Sequence, residues 1–228
     1  QETWWHGGSV RWLDGIGLDG YAPVPFHLYK RYMLRKRAQL VEQWSADITL
    51  SLHYNLARKG HPNRLVMFVP GHALADELDT ASEQFYALRR LLEGSLPASV
   101  QLAGRIAQEM TQALQVPLSD GWQEVEPHLR TATAIAGVPG VFARNLAILK
   151  RTPGVVVLVE GPCINDIAEL EYLRDRSLRV DGAAYPQRIG VYARAVWRAV
   201  LHNASSLQRY AQLQRRWRMA AQARVGLK

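Results

Sequence analysis

At 228 residues and 25.7 kDa the chain is long enough for one domain with a real core and short for two, and its 48% apolar and 21% charged residues exclude a disordered or fibrous protein. No apolar run approaches the roughly 20 residues of a spanning helix, and a single cysteine, Cys163, rules out an internal disulfide or a multi-thiolate metal site. A net charge of +8 biases the chain toward an anionic partner such as cell-wall polymer, membrane surface or nucleic acid.

The chain opens at Gln1-Glu2 with neither a methionine nor a basic-then-apolar leader, so either a leader has been removed or the sequence starts partway through a longer one. Residues 1–27 are punctuated by Gly, Trp and Pro and read as loop, with a short strand around Val10 to Leu13. From Leu28 to Trp44 a helix is expected, with Leu34, Ala38 and Val41 on one face and basic residues around the rest. Asp47 to His53 alternates like a strand. Arg64 to Pro70 is near-continuously apolar, as in a sheet covered on both sides.

Two helices follow, Thr80 to Glu93 and one from about Ala98 to residue 115 with Ser99 as its cap; the second carries Ala103, Ile106, Ala107, Met110 and Leu114 at helical spacing. Residues 117–141 read as irregular, and Leu146 to Leu149 as a short strand. Val155 to Glu160 is the clearest buried strand. Helices are expected over Asp166 to Arg176, with Ile167, Leu170 and Leu173 inward, and over Tyr185 to Leu201, with Ile189, Ala193, Val196, Trp197 and Val200 inward. The last stretch, residues 204–228, is a basic helix with an apolar stripe of Leu207, Tyr210, Leu213 and Trp217, read either as packing on the domain or as an anchor on an anionic lipid or wall surface. Together these elements predict an α/β domain over residues 1–203, with a mostly parallel twisted sheet flanked by helices, followed by the tail helix.

Sites in α/β folds gather where strands end. Two strands here end on an ionisable residue, His53 and Glu160, and neighbouring strands would bring an imidazole and a carboxylate to one rim. That pair suits metal-assisted hydrolysis, in which a neutral nitrogen holds zinc and a carboxylate takes a proton from water.

At these residues the sequence resembles a known family. Asp47-Ile48-Thr49-Leu50-Ser51-Leu52-His53-Tyr54-Asn55, after Leu34-Arg35-Lys36-Arg37-Ala38, looks like the "R-x-x-x-A-N … A-D-x-x-I-S-I-H-x-N" stretch of the zinc-dependent N-acetylmuramoyl-L-alanine amidases of bacterial cell-wall hydrolases. Residues 143–149, then Val157-Leu158-Val159-Glu160-Gly161, Ile164-Asn165, Glu169 and Leu173, are similar to that family's "L-x-V-L … V-L-V-E-x-x-F-x-S-N-x-x-E-x-x-x-L". The similarity covers roughly residues 30–201. It implies a Zn2+ ligand at His53, a general base and acid at Glu160, and a turn residue at Asn165 matching the family's Asn; Cys163 stands near an aromatic position of the motif and reads as a packed side chain.

The family's other two ligands are a histidine in an Asp-x-Gly-His-Gly-Gly turn and a glutamate on the next helix. His6-Gly7-Gly8 offers the first in part, but Trp4 and Trp5 precede it and Glu2 lies upstream. Either the first strand and helix lie before Gln1, or the protein is a metal-free relative. Arg144 could hold a peptide carboxylate in its fork or form a structural ion pair, and His72, after a predicted strand, could line the same rim. Trp4, Trp5 and Trp12 could stack on sugars, with packing as the default.

The expected function is therefore zinc-dependent hydrolysis of the N-acetylmuramoyl-L-alanine bond of peptidoglycan, in the periplasm or outside the cell. The alternative is a catalytically inactive wall-binding or regulatory module. A nucleic-acid partner is disfavoured, because the Arg-rich helices lack an interleaved aromatic platform.

Overall fold

A computed structural model describes residues 5–6, 9–11, 21–22, 26–44, 46–56, 62–121, 129 and 131–225. Near the start, β1 (Trp5–His6), β2 (Ser9–Arg11) and β3 (Tyr21–Ala22) form a small antiparallel sheet of their own. The chain continues through α1 (Phe26–Gln43), β4 (Ile48–Asn55), β5 (Val66–Pro70), a 3-10 turn (Ala75–Leu78), α2 (Ala81–Glu93) and α3 (Leu96–Leu114). The second half holds β6 (Thr133–Ala134), β7 (Val141–Arg144), α4 (Ala147–Arg151), β8 (Val155–Cys163), α5 (Ile167–Arg174), β9 (Leu178–Val180), β10 (Ala183–Tyr185), α6 (Gln187–His202) and α7 (Ala204–Val225).

The central sheet has the order β4-β8-β5-β7-β6. Its β4–β8 and β5–β7 pairings are parallel, while β8–β5 and β7–β6 are antiparallel. The α/β architecture is as expected, and the sheet is mixed where a mostly parallel one was predicted. Apolar strands buried on both faces read alike whichever way they run, so the pattern carries no direction.

Side chains alternate along a strand, so β5, β7 and β8 each serve two cores. Leu65, Met67, Val69, Val141, Val155, Val157 and Val159 face one way, onto α3 and onto Tyr192, Ala195, Val196 and Ala199 of α6. Val66, Phe68, Phe142, Val156 and Leu158 face the other way, onto Ile148 and Leu149 of α4. Isoleucine and leucine from β4 (Ile48, Leu50) join the first core, which leaves Thr49, Ser51 and His53 on the second face.

Several expectations change. Leu146 to Leu149 is not a strand: residues 147–151 turn into α4, closed by the Thr152 N–H on the Ile148 carbonyl. Four apolar residues in a row have no period to distinguish the two. The strand of this region is β7, in the stretch after the Pro139-Gly140 turn. Ser95, not Ser99, stands at the N-cap of α3; the buried Ser99 hydroxyl instead accepts the Val156 N–H at 3.1 Å.

On α5 the inward residue is Glu169, 1% exposed, whereas Ile167 is 78% exposed. Glu169 is accommodated because Arg188 of α6 binds both of its oxygens. The buried stripe of α6 likewise runs through Tyr192, Ala195, Val196 and Ala199, leaving Ile189 and Trp197 exposed. The β9–β10 hairpin was not anticipated, although Asp181-Gly182, both at positive φ, is a strong signal for its turn. In α7, Leu207 and Ala211 are buried and Tyr210 packs on the first core, so this part of the apolar stripe lies against the domain.

Candidate active site

Parallel pairing sets His53 directly opposite Glu160, with Ser51 opposite Leu158. Partners in register point to the same side of a sheet, so imidazole and carboxylate stand side by side on the face that carries Phe68 and Leu158. β4 is the outer strand of the sheet, which leaves His53 exposed; Glu160, one strand in, is half-buried.

Three features fix this end of β4. The Ser51 hydroxyl, two residues back and therefore on the same face, lies 2.9 Å from His53 Nε2. From the opposite face, the Tyr192 hydroxyl donates to the His53 carbonyl at 3.2 Å. Beyond Glu160 the register slips, with Asn55 opposite Cys163, so β8 bulges at the residues just after the carboxylate. Gly161 sits in that bulge. A Cβ there would come 2.9 Å from the His53 carbonyl oxygen and 3.3 Å from the Tyr192 ring and hydroxyl. Glycine is what allows the two strands to stay close beside the acid.

Burial raises the proton affinity of Glu160 above the ordinary carboxylate range, against the charges of His53 and then Arg144, which pull it down. On the other face, burial pushes the Tyr54 phenol up to about 12, helped by the nearby Glu169 carboxylate. Tyr54 meets Tyr192 edge-on, with ring centroids 5.7 Å apart. The Glu169–Arg188 pair thus lies beside Tyr54, whose ring packs on Tyr192, the donor to the His53 carbonyl.

The remaining sequence candidates are distributed unevenly. Arg144, at the end of β7, shares the sheet face of Glu160, and its guanidinium lies over the Phe68 ring at 5.6 Å. His72 is not on the His53–Glu160 rim. β5 runs antiparallel to β8, so the chain leaves Pro70 at the other end of the sheet, and His72 sits there, exposed, at φ 42°. Asn165 lies in the turn after β8; the adjacent Asp166 caps α5, accepting the Glu169 N–H at 3.0 Å. Cys163 is buried. His6 belongs to β1 of the separate small sheet, and its side chain lies outside the described residues, as do His61 and His128. Ser51 and Tyr192 are the contributors that sequence reading did not single out. Ser51 had a signal in its i, i+2 relation to His53; Tyr192 had none before the fold was known.

Among the described residues no three His, Cys, Asp or Glu side chains converge as metal ligands. His53 offers one ligand and Glu160 a base, whereas a catalytic zinc site takes three protein ligands. The described donors therefore do not fit a complete zinc site.

The model of a family described as N-acetylmuramoyl-L-alanine amidase matches residues 27–185, a stretch that contains both His53 and Glu160. The chain belongs to this family. No curated protein matches the sequence. Among solved structures, an N-acetylmuramoyl-L-alanine amidase from Clostridium difficile 630 is 15% identical, with a TM-score of 0.47, covering 76% of this chain and 66% of that one. An N-acetylmuramyl-L-alanine amidase from Mycobacterium smegmatis is 14% identical, with a TM-score of 0.49, covering 76% and 61%. The CwlD amidase from Clostridioides difficile, solved with the GerS lipoprotein, is 14% identical, with a TM-score of 0.48, covering 83% and 67%. The chain thus spans slightly less than two thirds of the first two amidases.

Proposed function

We propose that this chain hydrolyses the amide between N-acetylmuramic acid and L-alanine in peptidoglycan, with Glu160 as the group that moves the proton. The observation that carries the reading is the in-register placement of His53 beside Glu160 inside the segment matched by the amidase family. Amide hydrolysis requires a proton to leave water and a proton to reach the departing amine. Glu160 is suited to both, because burial makes its carboxylate a better proton acceptor than one in water. His53 and Arg144 keep the ionised form accessible. The Tyr192 bond and the close approach at Gly161 hold the two strands in fixed relation, so the base does not drift from its neighbour.

His53 would contribute one ligand to a zinc ion whose other ligands are not among the described residues. Such an ion, when bound, lowers the pKa of water and polarises a carbonyl. A peptidoglycan substrate puts the protein in the periplasm or at the cell exterior, and the +8 charge suits an anionic wall.

The test is digestion of purified sacculi by the full chain supplied with zinc, reading new L-alanine amino termini by mass spectrometry. Glu160→Gln is expected to slow their release by at least about 100-fold with the fold intact. Stoichiometric zinc that falls in His53→Ala would support the ligand role. Binding to sacculi with no new amino termini from the zinc-supplied wild type would overturn the hydrolytic reading and leave an inactive wall-binding module.

A further inference from the structure

Arg144 ends β7 opposite Pro70, and its side chain turns back along the sheet to rest on Phe68 of the neighbouring strand. Phe68 itself pairs with Leu158, two residues before Glu160 on the same face. The guanidinium therefore stands about two strand residues, roughly 7 Å, short of the level of Glu160. It is half-buried. Among the described residues it forms no hydrogen bond or ion pair, and the nearby Glu77 carboxylate accepts the Leu74 N–H at 2.9 Å instead. Burial disfavours its charged form, and the charges of Glu77 and then Glu160 offset this only in part, neither forming an ion pair with it. An aromatic ring holds a guanidinium flat and leaves its N–H edge free for a planar bidentate partner.

We infer that Arg144 binds a free carboxylate on the peptide side of the substrate, about two residues beyond the scissile amide, and selects peptides that carry an acid there. The inference rests on the amidase reading for the direction of the peptide. An extended residue spans about 3.3–3.6 Å, so two residues ending in a carboxyl group cover the roughly 7 Å along the strands and the roughly 5 Å step from β8 to β5. Carboxylate is the ligand class that matches a fixed fork of donors bidentately.

The experiment measures calorimetric binding of N-acetylmuramoyl-L-alanylglycine and of its C-terminal carboxamide to the full chain carrying Glu160→Gln, which prevents turnover. The free acid is expected to bind at least about tenfold tighter than the amide. Adding Arg144→Gln should bring the two affinities together, chiefly by weakening that of the acid. Arg144→Lys, which keeps the cation but not the fork, should retain part of the preference and decides the matter if Arg144→Gln does not fold. Equal affinities in the parent, an unchanged ratio in both variants, or no binding of either compound would overturn the proposal. Acid-selective binding by a chain that never cleaves sacculi would remove the hydrolytic reading alone; cleavage of free-acid and amidated substrates at equal rates would remove the carboxylate site alone.

Discussion

Gly161 shows how closely the site depends on single atoms. Replacing it with alanine would place a methyl group within 2.9 Å of the His53 carbonyl and against Tyr192. Backbone and a packed aromatic ring cannot both yield, so β4 and β8 must separate at the residues that pair His53 with Glu160. Gly161→Ala is expected to destabilise the protein by about 1–3 kcal/mol and to cost more activity than stability, read as loss of sacculus cleavage at a temperature where the variant is still folded. Tyr192→Phe should be milder. It removes the donor to one carbonyl and costs about 0.5–1.5 kcal/mol in chemical denaturation, with the ring still filling its place in the core. A Tyr192→Phe variant as damaged as Gly161→Ala would mean that the hydroxyl, rather than the close approach of the strands, sets the geometry.

Elements were legible in proportion to the periodicity they carry. The apolar face of α3 could be read because its buried residues recur at the helical repeat, and β5 and β8 because their apolar runs are nearly unbroken, as in strands covered on both sides. The inward side of α5 could not, because its buried member is a glutamate whose partner, Arg188, lies on another helix. α4 is too short for any period, and its position depends on Arg90 of α2. That buried side chain donates to the carbonyls of Leu149, Thr152 and Gly154 and to the Ser95 hydroxyl, joining α2, the end of α4 and the turn into β8. Arg90→Ala would leave several buried carbonyls without donors. It is expected to lower stability by about 3 kcal/mol or more, measured as a shift in denaturant midpoint. Arg90→Lys, with fewer donors on a point charge, should recover only part of this. Of the candidate site, the His53–Glu160 pairing was foreseeable from two strand endings, whereas His72 was misplaced because strand direction is not written in an apolar run.

At the scale of the whole molecule, charge sets the response to acid. Glu83 of α2 binds Lys150 and Arg151 of α4. Burial alone would raise its pKa, but the hydrogen bonds and charges of Lys150 and then Arg151 outweigh it and hold the carboxyl below its ordinary 4.5. A depressed folded value means that the unfolded chain takes up this proton first. The stabilisation is therefore complete above the unfolded value and disappears as pH falls through the folded one. Over the same range the 20 acidic groups lose their charge while 28 lysines and arginines keep theirs, so self-repulsion grows as the link between α2 and α4 fails. Thermal stability should fall steeply below about pH 4.5. Glu83→Gln should be less stable than wild type at neutral pH and nearly equal to it in strong acid, so that their melting curves converge on acidification. Melting temperatures that stay equally far apart from neutral to acid pH would show that the Glu83 cluster contributes through packing and not through its charge.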